Sequence, residues 1–357
     1  MGPVNTTVAL SYEDVAWFRD GASLAAAARG AAATLARRIG LSSHRAAEVA
    51  LAVTEAATNV QRHADDGALL LRVVRSGDQA GVEFLTVDSG PGMTDVPAAL
   101  ADGSSSAGTL GIGLGAVARL ADQFDLHSVP GRGTVMAAQF WPRTADGSAV
   151  VASRDLSVAA GVTRPISGET VCGDAWAVRT EDSDSDSSED RPAILVMLCD
   201  GLGHGPLAAR ASQAAVKAFQ ETRDLSPAGA LDAIHRALRG TRGGAVAVAR
   251  VEPAAGRVLY CGIGNVSGFL LGDDGRKGLL SAPGIVGAHM RRLRTFEEPL
   301  PAHGALVMHS DGLTERWDHG NLPGLLHHTP LVMAGQLLRE AGVRRDDASV
   351  VVIKGAW

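Results

Sequence analysis

Two Asp-Gly pairs and one Asp-Asp pair in the second half of the sequence are the residues best suited to chemistry. Asp200-Gly201 and Asp311-Gly312 each follow an apolar run that predicts a strand, and Asp346-Asp347 precedes another such run. Asp174 lies near the start of a further predicted strand. A single Asp-Gly pair is usually an ordinary turn, but several carboxylates at strand ends repel one another unless a divalent cation compensates their charge.

The chemistry that such a cluster could perform is hydrolysis at phosphorus. Hard oxygen ligands suit Mg²⁺ or Mn²⁺, and a pair of these ions can activate a bridging water for in-line attack. The loop Gly201-x-Gly203-x-Gly205 could instead suggest dinucleotide binding. Its spacing is not GxGxxG, and Asp200 would present negative charge to a pyrophosphate. The pattern therefore favours metal-dependent hydrolysis over a dinucleotide-dependent oxidoreductase.

Four motifs in the first half are weak one by one and informative in combination. Glu55 and Asn59 lie one turn apart on a predicted helix, where Asn could ligate Mg²⁺ and Glu could polarise a hydroxyl; a solvated polar stripe is the alternative. Asp88 follows a predicted strand and could accept a hydrogen bond from a base, although a tight turn is the alternative. Two further glycine motifs could let backbone approach phosphates: Gly111-x-Gly113-x-Gly115 and Gly131-x-Gly133-Thr134.

The elements that must position these residues follow from hydrophobic periodicity. We expect a strand over residues 4–10, an Ala-rich helix over 12–39, and a second helix from Ser42 or Ser43 to about Ala64. A loop over 102–115 precedes a short helix over 116–122. We expect a first domain over 1–142, a polar linker over 143–156 and a second domain over 157–357.

In their order and spacing, the four motifs of the first half resemble the GHKL (Bergerat-fold) ATPases, most closely the RsbT-like anti-sigma serine kinases. The resemblance implies an α/β sandwich, with a mixed sheet and helices on one face. It implies that Asn59 holds Mg²⁺ beside ATP, that Glu55 is the catalytic base and that Asp88 reads adenine. The other binding positions that it implies are Gly90, Gly92, Gly111, Gly113, Gly115 and Thr134.

The second half resembles the PPM-type (protein phosphatase 2C-like) serine/threonine phosphatases of the SpoIIE/RsbX branch. The resemblance implies an αββα sandwich, which makes the chain a two-domain α+β protein with two Mn²⁺ or Mg²⁺ ions between the sheet edges. Bacterial members often carry Gly-Gly-Asp where this chain has Cys172-Gly173-Asp174. The metal ligands that it implies are Asp174, Asp200, the Gly201 carbonyl, Asp311 and Asp346, with Asp347 as the alternative in the last position.

A kinase-like and a phosphatase-like module on one chain suggest opposing reactions in one pathway. We expect a regulator of bacterial partner switching whose partners are a phosphorylated STAS-domain antagonist of an anti-sigma factor, a stressosome-type protein, or a sigma-factor regulator. The first module would phosphorylate such a partner. The alternative is a nucleotide-gated binding module without kinase activity.

Composition disfavours several further classes of protein. With 33 Lys and Arg against 39 Asp and Glu, the net charge of −6 disfavours binding to nucleic acid or to anionic membranes. No apolar run approaches the length that a bilayer requires, and the first residues do not resemble a secretory leader. Three widely spaced cysteines disfavour a disulfide framework or a zinc site. We therefore expect a cytoplasmic protein.

Overall fold

The computed structural model describes residues 11–19, 21, 23–101, 113–144, 148–149, 158–181, 192–290, 292–318, 320, 322–343 and 345–355 of the 357. These residues fall into two compact units, one up to residue 149 and the other from residue 158. Gly111 and the whole of the predicted strand over residues 4–10 lie outside the described residues. No described helix is both long and apolar enough to cross a bilayer.

The first unit is one five-stranded sheet in the order β1-β2-β3-β5-β4 with helices on one face. The strands are β1 Ser11–Arg19, β2 Ala68–Ser76, β3 Gln79–Val87, β4 Gln123–Val129 and β5 Gly133–Phe140. The helices are α1 Leu24–Arg38, α2 Ser43–His63, α3 Val96–Leu100 and α4 Gly113–Leu120.

Helix α2 begins where the sequence predicts. The Ser42 hydroxyl accepts a hydrogen bond of 3.2 Å from the Arg45 amide, which satisfies one of the amides left open at a helix start. Val49, Val53 and Val60 recur at helical spacing and are buried against the sheet. The polar positions between them, Glu55 and Asn59 included, are half-buried.

Two expectations for this unit are wrong in detail. Residues 12–19 form strand β1 rather than the start of a helix, because they pair with β2 and include β-favouring Val15, Trp17 and Phe18. All strand pairs among the described residues of this unit are antiparallel, so its sheet is not mixed. Tight hairpins join β2 to β3 and β4 to β5, and a hairpin can only produce antiparallel neighbours.

The second unit contains two sheets. The first has the order β13-β10-β9-β8-β7, with β14 also paired to β10; the second has the order β12-β11-β15-β16-β6. The strands are β6 Ala159–Arg164, β7 Asp174–Thr180, β8 Ile194–Gly201, β9 Gly244–Glu252, β10 Arg257–Ile263, β11 Ser267–Gly272, β12 Gly275–Leu279, β13 Ser281–Ala282, β14 Phe296–Pro299, β15 Ala305–His309 and β16 Ala348–Lys354. The helices are α5 Pro206–Glu221, α6 Pro227–Leu238 and α7 Pro330–Ala341.

Alternating side chains of the strands create two cores. Val196 and Leu198 of β8 face Met308 and Val351 in the core between the sheets. The intervening β8 residues face α5 and α6, and α7 packs on β16 and β6 of the other sheet. These layers form the αββα sandwich that the sequence predicts.

Candidate functional site

Asp174 and Asp200 stand opposite each other on neighbouring strands. Asp174 opens β7, Asp200 lies at the end of β8, and the two are direct partners in the antiparallel register. Directly opposed residues have Cβ atoms about 4.5–5.5 Å apart on one face of the sheet. The Gly201 amide donates to the Gly173 carbonyl at 3.3 Å, which holds these strand ends together.

Asp311 reaches the same cluster from the other sheet. Its neighbour Gly312 packs so closely on the start of β16 that a Cβ atom there would lie 1.9 Å from the Asp347 carbonyl oxygen. Burial and nearby negative charge raise the pKa of Asp200 to about 9. The charges responsible belong to Asp174, Asp311 and Asp346. The four carboxylates are therefore close enough to repel one another.

Asp174 carries the clearest sign that the cluster is built for a cation. Its side chain is buried, and its Oδ2 atom has no hydrogen-bond partner among the described residues. Burial raises the pKa of Asp174 to about 7, against the opposing effect of the Ser310 hydroxyl. A buried carboxylate oxygen without a partner is costly unless a cation binds it. The site therefore fits a divalent metal.

Asp346 and Asp347 are adjacent but have different surroundings. Asp347 is buried, and its two oxygens accept hydrogen bonds of 2.8 Å from the amides of Ile166 and Gly173. Asp346 is only half-buried, and burial together with the charge of Asp311 raises its pKa. Asp347 thus fastens the loop between β6 and β7, whereas Asp346 contributes its charge to the cluster.

Asn265 also belongs to this cluster, and the sequence pattern does not reveal it. It lies in the turn between β10 and β11, and its Nδ2 atom donates to Oδ2 of Asp311 at 2.5 Å. A Gly-Asn pair between two strands is an ordinary turn signal, so only the folded chain shows which carboxylate it contacts.

Two histidines lie near the aspartates in different environments. His204 follows the Asp200 strand; its Nδ1 atom is 3.3 Å from Oε1 of Glu169, and it is largely exposed. His309 is buried beside Asp311, where its ring stacks on Phe269 at 5.6 Å and meets the edge of Trp317. Burial lowers the pKa of His309, so it serves as a neutral part of the aromatic packing behind the cluster.

Three of the motifs in the first unit meet at one end of its sheet. A Cβ atom on Gly133 would lie 2.0 Å from the Asp88 carbonyl oxygen, and one on Gly90 would lie 2.4 Å from the His63 carbonyl oxygen. A Cβ atom on Gly92 would lie 2.1 Å from the Val129 carbonyl oxygen. Only glycine allows the end of β3, the β4–β5 turn and the end of α2 to approach so closely.

The Asp88 carboxylate is held in place by this packing. Its Oδ1 atom accepts hydrogen bonds from the amides of Gly90 at 2.8 Å and Thr134 at 3.2 Å. The Thr134 hydroxyl lies 2.9 Å from the Ser128 hydroxyl. An acid fixed in orientation beside a glycine-lined backbone fits recognition of a flat base that carries an amine.

Glu55 and Asn59 are half-buried one turn apart on α2, the helix whose end contacts the Asp88 loop. Gly113 and Gly115 lie within α4 rather than in a preceding loop, because α4 begins three residues earlier than the sequence suggests. A Cβ atom on Gly115 would lie 2.3 Å from the Leu100 carbonyl oxygen, so this glycine lets α4 pack on α3. Gly111 lies outside the described residues.

The aspartate cluster does not form a closed cage. Among the described residues, no three His, Cys, Asp or Glu side chains converge closely enough to hold an ion by themselves. Mg²⁺ and Mn²⁺ commonly bind through one or two carboxylates and keep several waters. The open arrangement therefore suits ions that leave room for water and a phosphate group.

Comparison with known proteins decides the family. The profile of the histidine kinase-like ATPase domain matches residues 19–139, and that of stage II sporulation protein E (SpoIIE) matches residues 190–355. The serine/threonine-protein kinase RsbT of Bacillus subtilis (strain 168) is 35% identical over 117 residues, which are 33% of this chain and 88% of RsbT. The chain belongs to the RsbT family of histidine kinase-like ATPases through its first domain. Its second domain is a SpoIIE domain of the PPM phosphatase type.

A further relative and a solved structure match the SpoIIE domain. The phosphoserine phosphatase RsbX of Bacillus subtilis (strain 168) is 21% identical over 163 residues, which are 45% of this chain and 73% of RsbX. A crystal structure of RsbX in complex with magnesium is 18% identical, with a TM-score of 0.44, covering 55% of this chain and 94% of that one.

The matched ranges include most of the two sites. Glu55, Asn59 and Asp88 fall within the ATPase match, and Asp200 and Asp311 fall within the SpoIIE match. Asp174 precedes residue 190, where the SpoIIE match begins. Its place in the cluster rests on the pairing of β7 with β8.

Proposed function

We propose that the chain is a bifunctional regulator of a bacterial partner-switching pathway, with domains over 1–142 and 157–357. Its SpoIIE domain would be a Mn²⁺- or Mg²⁺-dependent phosphatase that removes phosphate from Ser or Thr of a STAS-domain protein. Its RsbT-like domain would bind ATP with Mg²⁺ and phosphorylate a partner of the same kind. The similarity to RsbT and to RsbX supports this pair of reactions.

The observation that carries the phosphatase function is the buried, unpartnered Oδ2 atom of Asp174 opposite Asp200. The groups that would hold two ions are the carboxylates of Asp174, Asp200, Asp311 and Asp346 and the Gly201 carbonyl. When bound, the ions supply an activated water and positive charge for attack on phosphorus. The chain itself brings the carboxylates together at the edges of both sheets and orients Asp311 through Asn265.

Phosphate release from a phosphorylated STAS-domain protein in Mn²⁺ tests this function. Asp200→Asn and Asp311→Asn should each lower turnover by at least about 100-fold, because each removes charge and a ligand. Asp232→Asn, which removes an exposed carboxylate on α6, is the matched control and should retain full activity. Unchanged metal-dependent turnover in both site variants would contradict the proposal.

In the RsbT-like domain, each group would have a separate task. Asp88, oriented by the Gly90 and Thr134 amides, would accept a hydrogen bond from the adenine amine. Asn59 would hold Mg²⁺ through a neutral oxygen. Glu55, one turn earlier on α2, would accept the proton of the attacking hydroxyl.

Transfer of labelled phosphate from ATP to the STAS-domain protein tests the kinase function. Asp88→Asn and Asn59→Ala should abolish ATP binding, whereas Glu55→Gln should retain binding and lose transfer. ATP binding without transfer in the unaltered protein would support the nucleotide-gated binding module instead. Retained ATP binding in both Asp88→Asn and Asn59→Ala would rule out the nucleotide site.

A further inference from the structure

Exposed apolar side chains are concentrated around the aspartate cluster. Among the described residues, four large hydrophobic side chains are exposed: Val171 at 38%, Leu202 at 40%, Leu207 at 54% and Leu280 at 67%. Leu202 directly follows Asp200-Gly201, Val171 precedes Asp174 by three residues, and Leu207 lies in the first turn of α5. A single exposed apolar side chain is common, but three beside the aspartate cluster are unusual.

The segments that carry these three residues pack directly on one another. A Cβ atom on Gly173 would lie 2.8 Å from the Ala208 Cβ atom and 3.3 Å from the Gly203 carbonyl oxygen. Gly173 is two residues from Val171, Ala208 is next to Leu207, and Gly203 is next to Leu202. The three side chains therefore lie on adjoining segments, two loops and the first turn of α5, and we name Val171, Leu202 and Leu207 the apolar rim.

A positively charged side chain lies beside the apolar rim, in the loop between α6 and β9. The exposed Arg242 passes over Gly203, where a Cβ atom would lie 2.8 Å from its Nη1 atom. The Leu202 amide donates to the Gly243 carbonyl at 3.0 Å, which fixes the Arg242 loop beside the rim. A guanidinium group is suited to paired hydrogen bonds with phosphate oxygens. A ligand that carries phosphate next to apolar surface would match both features.

We propose that the apolar rim is the docking surface for a folded phosphoprotein, whose hydrophobic side chains beside the phosphorylated Ser or Thr pack on Val171, Leu202 and Leu207 while Arg242 contacts the phosphate. The proposal rests on the phosphatase function and narrows its substrate class. A small phosphoester has no surface to pack on the rim. The apolar rim adjoins the aspartate cluster. Leu202 is next to Gly201, and the amide of Gly173, in the Val171 loop, donates to Asp347.

The test compares one large and one small substrate. Leu202→Ser and Leu207→Ser replace exposed side chains without adding charge near the metals, so folding and metal binding should persist. With a phosphorylated STAS-domain protein in Mn²⁺, each variant should lower kcat/KM about tenfold, mainly through KM, because a leucine would no longer be buried on binding. With p-nitrophenyl phosphate, both variants should match the unaltered protein.

Leu280→Ser is the matched control. Leu280 is the most exposed of the four and adjoins β13, which is separated from β8 by β9 and β10, or about 14 Å at ordinary strand spacing. Leu280→Ser should leave kcat/KM for both substrates unchanged. Full activity of Leu202→Ser and Leu207→Ser on the phosphoprotein, or an equal loss on both substrates, would overturn the docking surface alone. An unaltered protein inactive on both substrates would overturn the phosphatase function and, with it, the role of the rim.

Discussion

The side-chain amide of Asn265 donates a hydrogen bond of 2.5 Å to Oδ2 of Asp311. Asn265 comes from the turn after β10 in one sheet, and Asp311 follows β15 in the other. The amide supplies a donor without adding a charge to a crowded group of carboxylates. The hydrogen bond thereby fixes Oδ2 of Asp311 and does not involve Oδ1.

Removing this donor should loosen Asp311. We expect Asn265→Ala to weaken Mn²⁺ binding by about 10-fold to 100-fold, the usual effect of losing a group that orients a metal ligand. Asn265→Asp, which has the same shape, should destabilise the metal-free protein because it places a like charge against Asp311. Calorimetric titration with Mn²⁺ and thermal melting in chelator measure the two effects. Equal Mn²⁺ affinity in Asn265→Ala and the unaltered protein would contradict the orienting role.

The two adjacent aspartates at the start of β16 should behave differently. Asp347→Ala leaves the half-buried Ile166 amide and the buried Gly173 amide without acceptors, and we expect it to lower the free energy of unfolding by roughly 2–4 kcal/mol. Asp346→Ala should cost less than about 1 kcal/mol and instead weaken Mn²⁺ binding. Urea unfolding in chelator, followed by Mn²⁺ titration, separates the effects. The reverse pattern would make Asp347 the ligand.

The raised carboxyl pKa values predict how pH affects the metal-free protein. The pKa of Asp174 is raised to about 7 and that of Asp200 to about 9, so the folded state binds more protons than the unfolded state between about pH 4 and pH 9. Their contribution to stability is therefore full in acid and is lost as pH rises through this window. Melting temperatures in chelator should show this fall, and Asp200→Asn should flatten it at its upper end.

Metal should reverse this dependence. Metals bind carboxylates in their deprotonated form, so the stabilisation that Mn²⁺ would provide should grow with rising pH. The difference in melting temperature between Mn²⁺ and chelator is the measured quantity. A difference independent of pH would show that these carboxylates do not release protons when metal binds.

A pair of glycines tests the packing around Asp88. Gly133→Ala would place a Cβ atom 2.0 Å from the Asp88 carbonyl oxygen, so we expect lower stability and loss of ATP binding. Gly131→Ala is the control, because Gly131 also has a positive φ but no heavy atom lies within 4 Å of its Cβ position. It should cost about 1–2 kcal/mol through backbone strain and leave ATP affinity unchanged. Binding of a fluorescent ATP analogue and thermal melting provide the measurements.

Strong local signals made much of the fold predictable. Helix α2 has a capping serine and regular buried valines, and β16 is a continuous apolar run, so both have the expected bounds. Strand β1 was predicted as helix because the alanines from residue 24 onward extend a helical pattern toward the N-terminus. Only its pairing with β2 decides the state of these residues. The short strands β12, β13 and β14 have no comparable pattern in sequence.

The candidate site could also be predicted from the sequence only in part. Motif spacing could single out Asp174, Asp200 and Asp311, but neighbouring residues cannot be ranked without their partners. Asp347 is occupied by the amides of Ile166 and Gly173, which lie 181 and 174 positions earlier in the chain, and this leaves Asp346 free of that role. The same holds for Asn265, whose acceptor comes from a different sheet.

The hydrogen bonds of Asp347 also have a mechanical consequence. One carboxylate fastens the loop that ends in Gly173 and Asp174 to the strand that starts beside Asp346. A partner that displaced this loop would therefore move Asp174 and Asp346 together. Partner binding and turnover would then evolve together, because a substitution in this loop that changes how a partner binds would also change the positions of the two carboxylates.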